Sequence, residues 1–331
     1  MITSLVTGGA GFIGSHTALH CLNLGHRVII LDDLSGGFRD HIPFGAEFIE
    51  GSVNDLQLLQ KIFADYKFDY VFHLAAYAAE GLSHFVRRFN YNNNLIGSVN
   101  LINLSIIFKI KCFVFTSSIA VYGAGQLPLT ENMVPHPEDP YGIAKYAVEM
   151  DLKAANKMFN LNYIIFRPHN VYGENQNIGD KYRNVIGIFM NQILRKKPLT
   201  VFGDGQQTRA FSYIDDVAPY IANSVNIKEA YNQVFNIGAD HAYTVNELAS
   251  MVAEEFGKQP EIVHLAARKE VVHAHSSHAK ATAIFEMRPG LSLKAGISKM
   301  AAWATTVGAR ASKDFEKIEI QEKLPQGWSS E

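Results

Sequence analysis

Apolar and polar positions along this chain fall into two alternating rhythms. Short, nearly continuous apolar runs occur at 2–7, 27–32, 46–50, 69–74, 112–117 and 162–166. Runs of this length suit strands buried on both faces. Between them lie longer stretches of helical spacing, the first marked by Phe12, Ile13, Ala18, Leu19 and Leu22. Two long helices are predicted over 84–109 and 141–160. The alternation predicts an α/β fold, a doubly wound parallel sheet with helices on both faces.

After Arg167-Pro168 the rhythm breaks. Residues 169–183 are rich in Asn, Gly and Gln, and a helix follows near 184–195. A short strand at Leu199–Phe202 leads into the turn Gly203-Asp204-Gly205, and a further strand (Val234–Ile237) and helix (245–256) come later. The pattern divides the chain into a first domain, 1–168, to which a segment near 209–239 returns. Residues 169–208 and 240–331 form a smaller carboxyl-terminal α/β lobe, with the site in the cleft between the two. One helical stretch is odd: Asn90-Tyr-Asn-Asn-Asn94 uses an indifferent helix former repeatedly. One or more of these amides is expected to fix a loop or a catalytic water.

The first strand runs into Thr7-Gly8-Gly9-Ala10-Gly11-Phe12-Ile13-Gly14 and then into a helix. Gly9, Gly11 and Gly14 satisfy G-x-G-x-x-G in the strand–turn–helix context that gives the motif weight. The glycines permit the turn and let backbone approach a pyrophosphate, which then faces the unpaired N–H groups of the helix end. This is the Rossmann-type arrangement. The second strand ends at Asp32, near the ~20-residue offset where a carboxylate binds the adenosine ribose. Asp32 and Asp33 would repel a 2′-phosphate, so the expected cofactor is NAD rather than NADP.

Tyr141 and Lys145 stand four residues apart on a predicted helix, hence on one face. An ammonium beside a phenol favours the phenolate and makes tyrosine usable as a base. Ser118, at the end of the run Thr116-Ser117-Ser118, is placed to share the same substrate oxygen. The trio is equipment for taking a proton from a carbinol while a cofactor takes the hydride.

The 331 residues can bury a large core, and 47% hydrophobic with 19% charged residues is ordinary globular composition. A net charge of −2 gives no reason to expect nucleic acid or an anionic membrane as partner. No apolar run reaches the ~18 residues of a membrane span, and the first strand starts at once, so a cytoplasmic location is expected. Cys21 and Cys112 read as core residues.

As an ordered set, Thr7–Gly14, Asp32, His73-Leu-Ala-Ala76, Thr116–Ser118, Val121-Tyr-Gly123, Tyr141/Lys145, Arg167-Pro-His-Asn170-Val-Tyr-Gly173 and Gly203-Asp-Gly205 through Asp216 resemble the extended short-chain dehydrogenase/reductases. Within these the chain is most similar to the NAD-dependent nucleotide-sugar epimerases and dehydratases, on the UDP-glucose 4-epimerase side, over about residues 1–300. The resemblance implies that Tyr141 takes the proton of the sugar 4-hydroxyl, helped by Ser118, while hydride passes from carbon 4 to nicotinamide. The keto sugar then turns and is reduced on its other face. Where related dehydratases carry an Asp-Glu pair this chain has Ile119-Ala120, which exchange no protons. Simple 4-epimerisation of a UDP-glucose/UDP-galactose type of substrate is what remains. The alternatives are a 4-dehydrogenase that releases the ketone and a non-catalytic NAD-sensing module.

The same resemblance assigns residues to each ligand. Gly8, Gly11, Phe12, Ile13, Asp32, Asp33 and Ser35 are implied at the cofactor, with Ser52 and Val53 at its adenine. Leu74, Ala75, Ala76, Asn94, Ser117, Arg167 and His169 join them, and Lys145 binds the nicotinamide ribose. For the nucleotide sugar, Asn170, Asn184 and Val185 are implied near the sugar and diphosphate, Thr200 and Phe202 against the base. Arg209 and Arg268 are implied on the diphosphate and Glu270 on the ribose. A homodimer through helices 84–109 and 141–160 is implied likewise.

Several residues depart from the family pattern. Ser52 replaces a common aspartate, Ala78 replaces a lysine near the cofactor phosphates, and the loop from Tyr77 through Glu80 and His84 to Arg88 is atypical. Val272 stands where a bulky aromatic restricts the pocket in some members, which suggests room for a larger sugar. His273, His275 and His278 lack the cysteine or carboxylate company of a zinc site, and no metal is expected. The tail from Asp314 is read as a surface extension, with Trp328 packing back onto the lobe.

Overall fold

The computed structural model describes residues 1–268, 270–311, 315, 317–325 and 328. Its main sheet contains β1 (Thr3–Thr7), β2 (Arg27–Asp32), β3 (Glu47–Glu50), β4 (Tyr70–His73), β5 (Cys112–Thr116) and β6 (Tyr163–Pro168). Three small sheets are built from β7 (Val171–Tyr172), β8 (Leu199–Phe202), β9 (Thr208–Ala210) and β10 (Ser212–Tyr213), together with β12 (Ala242–Thr244), β13 (Ile262–Leu265) and β14 (His273–Ala274). Between these in the chain comes β11 (Gln233–Ile237), which returns to the main sheet. The seven strands run in the order β11-β6-β5-β4-β1-β2-β3, all parallel. The predicted doubly wound parallel sheet is present, with strand ends within two residues of the apolar runs.

Burial explains why those runs were legible. All five residues of β1 and of β5 are buried, as are all four of β4, because helices cover both faces. On one face lie α1 (Phe12–Asn23) and helices of the lobe; on the other lie α2 (Leu56–Tyr66), the segment holding α3 (Glu80–Ser83), α4 (Arg87–Tyr91) and α5 (Gly97–Ile107), and α6 (Pro140–Phe159). The lobe adds α7 (Val185–Leu194), whereas α8 (Ala218–Asn223) lies in the returning segment and packs on α1; α9 (Val245–Glu255), α10 (Ala279–Phe285) and α11 (Leu293–Val307) again belong to the lobe. One apolar cluster runs without a break from Val6, Ile30 and Phe72 in the sheet to Phe189, Leu248 and Met300 in the lobe.

The predicted helix 84–109 is not uniform. It starts at Arg87 and contains a π-helical turn over Asn92–Ile96, which holds three of the four asparagines of residues 90–94. Asn94 from that turn accepts from the Tyr77 backbone N–H at 2.9 Å and donates to the Tyr77 carbonyl at 3.1 Å. Here the amide does fix a loop, the one after β4. A π-turn widens the helix enough to let one side chain serve a neighbouring loop rather than its own ladder.

The strand order reverses between β1 and β4, and in such sheets ligands bind at the carboxyl ends of the strands beside that switch.

Candidate active site

Two glycines make the turn after β1 possible. Gly8 has φ +72°, and a Cβ there would stand 2.7 Å from the Ala75 backbone nitrogen, in the loop after β4. A Cβ on Gly14 would lie 2.0 Å from the Gly8 carbonyl oxygen. The turn therefore exists only with bare backbone, and it leaves the amino end of α1 open to a cleft of about 1110 Å³. Asp32, buried at the end of β2, accepts from Ala10 N–H at 3.0 Å and Leu34 N–H at 2.8 Å, and still borders the cleft. Burial raises its carboxyl above the usual range, against the pull of those two N–H groups. A bare-backbone cradle with a carboxylate one strand away fits a dinucleotide.

Helix α6 carries the reacting side chains. Asp139 caps it by accepting from Gly142 N–H at 2.9 Å, and Pro140 sits in its first turn. Tyr141, Lys145 and Glu149 then follow at four-residue steps along one face, and all three are buried. The Tyr141 backbone N–H donates to Ser83 Oγ at 3.2 Å, and the Tyr141 and Ser118 side chains border the same cleft. Ser118 caps the short turn Ile119–Tyr122, accepting from Ala120 N–H at 3.1 Å. Lys145 donates to the Thr116 carbonyl at 2.8 Å, and its nitrogen lies 4.7 Å from the Phe115 ring centre and 5.8 Å from that of Tyr141. Ser118, Tyr141 and Lys145 thus converge as expected.

Their protonation runs against the sequence expectation. Burial, then the Glu80 carboxyl, push the Tyr141 phenol up, and the Ser118 hydroxyl only partly offsets them. Burial lowers Lys145 to about 7, with Glu149 pulling the other way. A less readily protonated amine gives less support to a neighbouring phenolate. The sequence shows the Tyr/Lys spacing but not how completely the protein desolvates both groups.

Beneath them lies an ion pair that motif reading assigned elsewhere. Arg167 does not border the cleft. Its Nε donates to Glu149 Oε1 at 2.8 Å and its Nη2 to Oε2 at 2.5 Å, with Arg167 2% and Glu149 0% exposed at the side chain. Ser117 donates to the same Glu149 at 2.6 Å. Two further assignments fall outside the cleft lining. Ser52 receives the Asn54 N–H at 3.2 Å in its own turn, and Asn94 acts from behind through Tyr77. The other residues assigned to the cofactor do line it: Gly8, Gly11, Phe12, Ile13, Asp32, Asp33, Ser35, Val53, Leu74, Ala75, Ala76, Ser117 and His169. Glu149 was missed, although the third step of the Tyr141/Lys145 spacing was there to be read.

Farther along the cleft, Asn170, Asn184, Val185, Thr200, Phe202, Arg209, Arg268 and Glu270 all contribute to its walls. Arg209 is held by the carbonyls of Thr208 at 2.9 Å, Val272 at 2.8 Å and Val271 at 2.5 Å. Arg268 stacks 4.0 Å from the centre of the Phe202 ring and reaches Glu270 at 3.4 Å. Val272 is 57% exposed and does not border the cleft, so its small size makes no room for a sugar. The three histidines separate: His273 bonds Thr208, whereas His278 meets Asp240 at 2.6 Å and stacks on His169, their Nε2 atoms 3.1 Å apart. Trp328 packs back onto the lobe, at Tyr182 and Arg268, and also covers the loop after β4. Its ring would lie 2.9 Å from a Cβ on Gly81, with Phe85 and Tyr182 around it.

Glu80 stands in this same loop, exposed to the cleft. Desolvation and the nearby Asp139 raise it to about 7.

The profile of the NAD dependent epimerase/dehydratase family matches residues 4–238. The chain belongs to that family. NAD is its cofactor. Among relatives of this epimerase/dehydratase, a Methanocaldococcus jannaschii protein provisionally named UDP-glucose 4-epimerase is 35% identical over 302 residues, 90% of this chain and 97% of that one. A crystal structure of Thermotoga maritima UDP-glucose 4-epimerase with UDP-glucose is 35% identical, with TM-score 0.86, covering 92% of this chain and 99% of that one. Bacillus cereus UDP-glucuronic acid 4-epimerase, crystallised with UDP-glucuronic acid and NAD, is 28% identical, with TM-score 0.84, covering 92% and 100%. Among the described residues, no helix of this epimerase/dehydratase is long and apolar enough to cross a membrane.

Proposed function

We propose that this enzyme interconverts the C4 epimers of a UDP-linked hexose. The observation that carries the reading is the meeting of Ser118, Tyr141 and Lys145 at the strand-end cleft, beside Ile119 and Ala120. Tyr141 accepts the proton of the sugar 4-hydroxyl and later returns it, and Ser118 holds the same oxygen in place. NAD, when bound, stores and returns the hydride, and its oxidised ring brings positive charge to the phenol. Asn184, Val185, Arg209 and Arg268 hold the diphosphate, while Thr200 and Phe202 face the base. Guanidinium groups already fixed by carbonyls and by a ring lose little freedom on binding phosphate. Relatives that act on glucose, N-acetylglucosamine and glucuronic acid share this fold, and all are UDP-linked.

The test is product analysis on a panel of UDP-, dTDP- and GDP-sugars. The expected product has the substrate's mass and the opposite C4 configuration, with no net reduction of NAD, and UDP-hexoses react best. A product lighter by one water, or ketone formed in step with NADH, would sink the epimerase reading. Glu80 favours the first of these as the second reading, because it borders the cleft and its carboxyl is held above the usual range, which suits acid–base chemistry in an elimination.

Glu80 also has a pH signature. Above pH ~7 its negative charge opposes ionisation of Tyr141, and Glu80→Gln removes that charge. The rise of kcat with pH, as Tyr141 ionises, is expected to move to lower pH in the variant. An unmoved or upward-moved midpoint would show that the two groups do not communicate.

A homodimer through α5 and α6 is part of the proposal. Ile143, Met150 and Met158 form one exposed stripe on α6, 40%, 50% and 74% exposed, and Ile107 on α5 is 66% exposed. Light scattering is expected to give twice the chain mass; a monomer at micromolar concentration refutes it.

A further inference from the structure

The two walls of the cleft differ in charge. From the first 60 residues the lining includes Asp32 and Asp33 but no lysine, arginine or histidine. A dinucleotide pyrophosphate brings two negative charges to that wall, against roughly half a positive charge from a helix end. The missing charge has to come from across the cleft.

Arg183 comes from across it. One of its terminal nitrogens, Nη2, lies 3.3 Å from where a Cβ on Gly36 would stand. Gly36 belongs to the loop that folds onto the glycine turn, where Phe38 N–H donates to the Ala10 carbonyl at 2.9 Å. Arg183 is held in that pose from behind. Its Nε donates to Asp180 at 2.7 Å, and its guanidinium carbon lies 4.7 Å from the centre of the Tyr77 ring. Its side chain is 17% exposed, and among the described residues its two terminal nitrogens have no hydrogen-bond partner. The other cations of the cleft are placed differently, Lys323 beside Glu322 among them. Lys145 sits on the Thr116 carbonyl, Lys181 lies over the Tyr182 ring, and Arg209 and Arg268 flank Glu270.

We propose that Arg183 clamps the pyrophosphate of the bound dinucleotide, reaching from the lobe to the glycine turn and closing the third side of that anion site. Helix end, loop amides and guanidinium then surround the phosphates. The proposal rests on the cofactor seat described above and is independent of which sugar is turned over.

The experiment follows NAD loss from the purified holoenzyme after dilution, for the wild type, Arg183→Met and Arg183→Lys, with circular dichroism confirming that each is folded. Charge-assisted hydrogen bonds of this kind predict release about 10- to 100-fold faster in Arg183→Met. Arg183→Lys is expected in between, because it keeps the charge but loses the fork. Wild-type release should also quicken with salt more steeply than that of Arg183→Met. Retention of NAD by Arg183→Met as long as by wild type, with only the KM for nucleotide sugar raised, would assign the arginine to the substrate and overturn the clamp. Equal losses in the Met and Lys variants would mean packing on Asp180 and Tyr77, not charge, and would overturn it too. Wild-type protein that holds no NAD at all would remove the cofactor seat itself, a separate result.

Discussion

Tyr141→Phe is expected to give a folded protein that keeps NAD and loses about 10³-fold or more of its turnover. The backbone bond to Ser83 and the burial of the ring survive the change, so only the hydroxyl is lost. Positioned acid–base groups contribute about 10²- to 10⁴-fold, roughly 3–5 kcal/mol of barrier. The upper part of that range applies because the one group handles the proton in both directions of each cycle. The free protein holds the phenol high, through burial and Glu80, so ionisation is tied to the arrival of positive charge in the cleft. Single-turnover and steady-state rates with the substrate found by the panel would check this. Turnover within tenfold of wild type, with NAD still bound, would move the base elsewhere.

Removal of Glu149 is expected to be the most damaging change to stability. Glu149→Gln leaves the Arg167 guanidinium, itself 2% exposed, without a counter-charge. Breaking a buried pair on one side costs about 3–5 kcal/mol, a fall of roughly 5–10 °C in the unfolding midpoint. Replacing both partners, Glu149→Leu with Arg167→Met, should recover most of the loss, because the desolvation penalty leaves with the charges. Lys145 should also be harder to protonate in Glu149→Gln, since Glu149 is the charge that supports it. Melting curves of the single and double variants decide the matter. A single variant that melts within a degree of wild type would mean the pair is not buried as described.

How far the sequence could be read depended on how local each signal was. Apolar runs revealed the sheet because both faces of β1, β4 and β5 are covered, so inside-outside alternation was absent and continuity stood in for it. The glycine turn, Asp32 and the Tyr141/Lys145 spacing were legible because each motif is short and its geometry is fixed by neighbours in the chain. Arg167 misled for the opposite reason. It follows the motif order, yet its partner Glu149 lies 18 residues back on another element, and only packing shows which way the guanidinium turns. Arg183 gave no signal at all, and Trp328 none of its place beside the cleft. One stands in a loop without periodicity, and the other reaches the cleft only through the fold of the tail. The high phenol and lowered amine were hidden as well, since desolvation belongs to the surroundings rather than to the pair.

Strand β11 joins the sheet beside β6 only after the chain has left at Pro168 and built much of the opposite wall. Its Phe235 packs against Phe166, 5.9 Å between ring centres. The sugar-facing half is therefore not a cassette hung on the end of a nucleotide module. A chimera that exchanged everything after 168 would replace the border strand along with the pocket, laying a foreign residue against Phe166. Transplanting specificity between relatives requires two paired cuts, one on each side of the returning strand, and a graft made at a single junction should fail in folding before it fails in recognition.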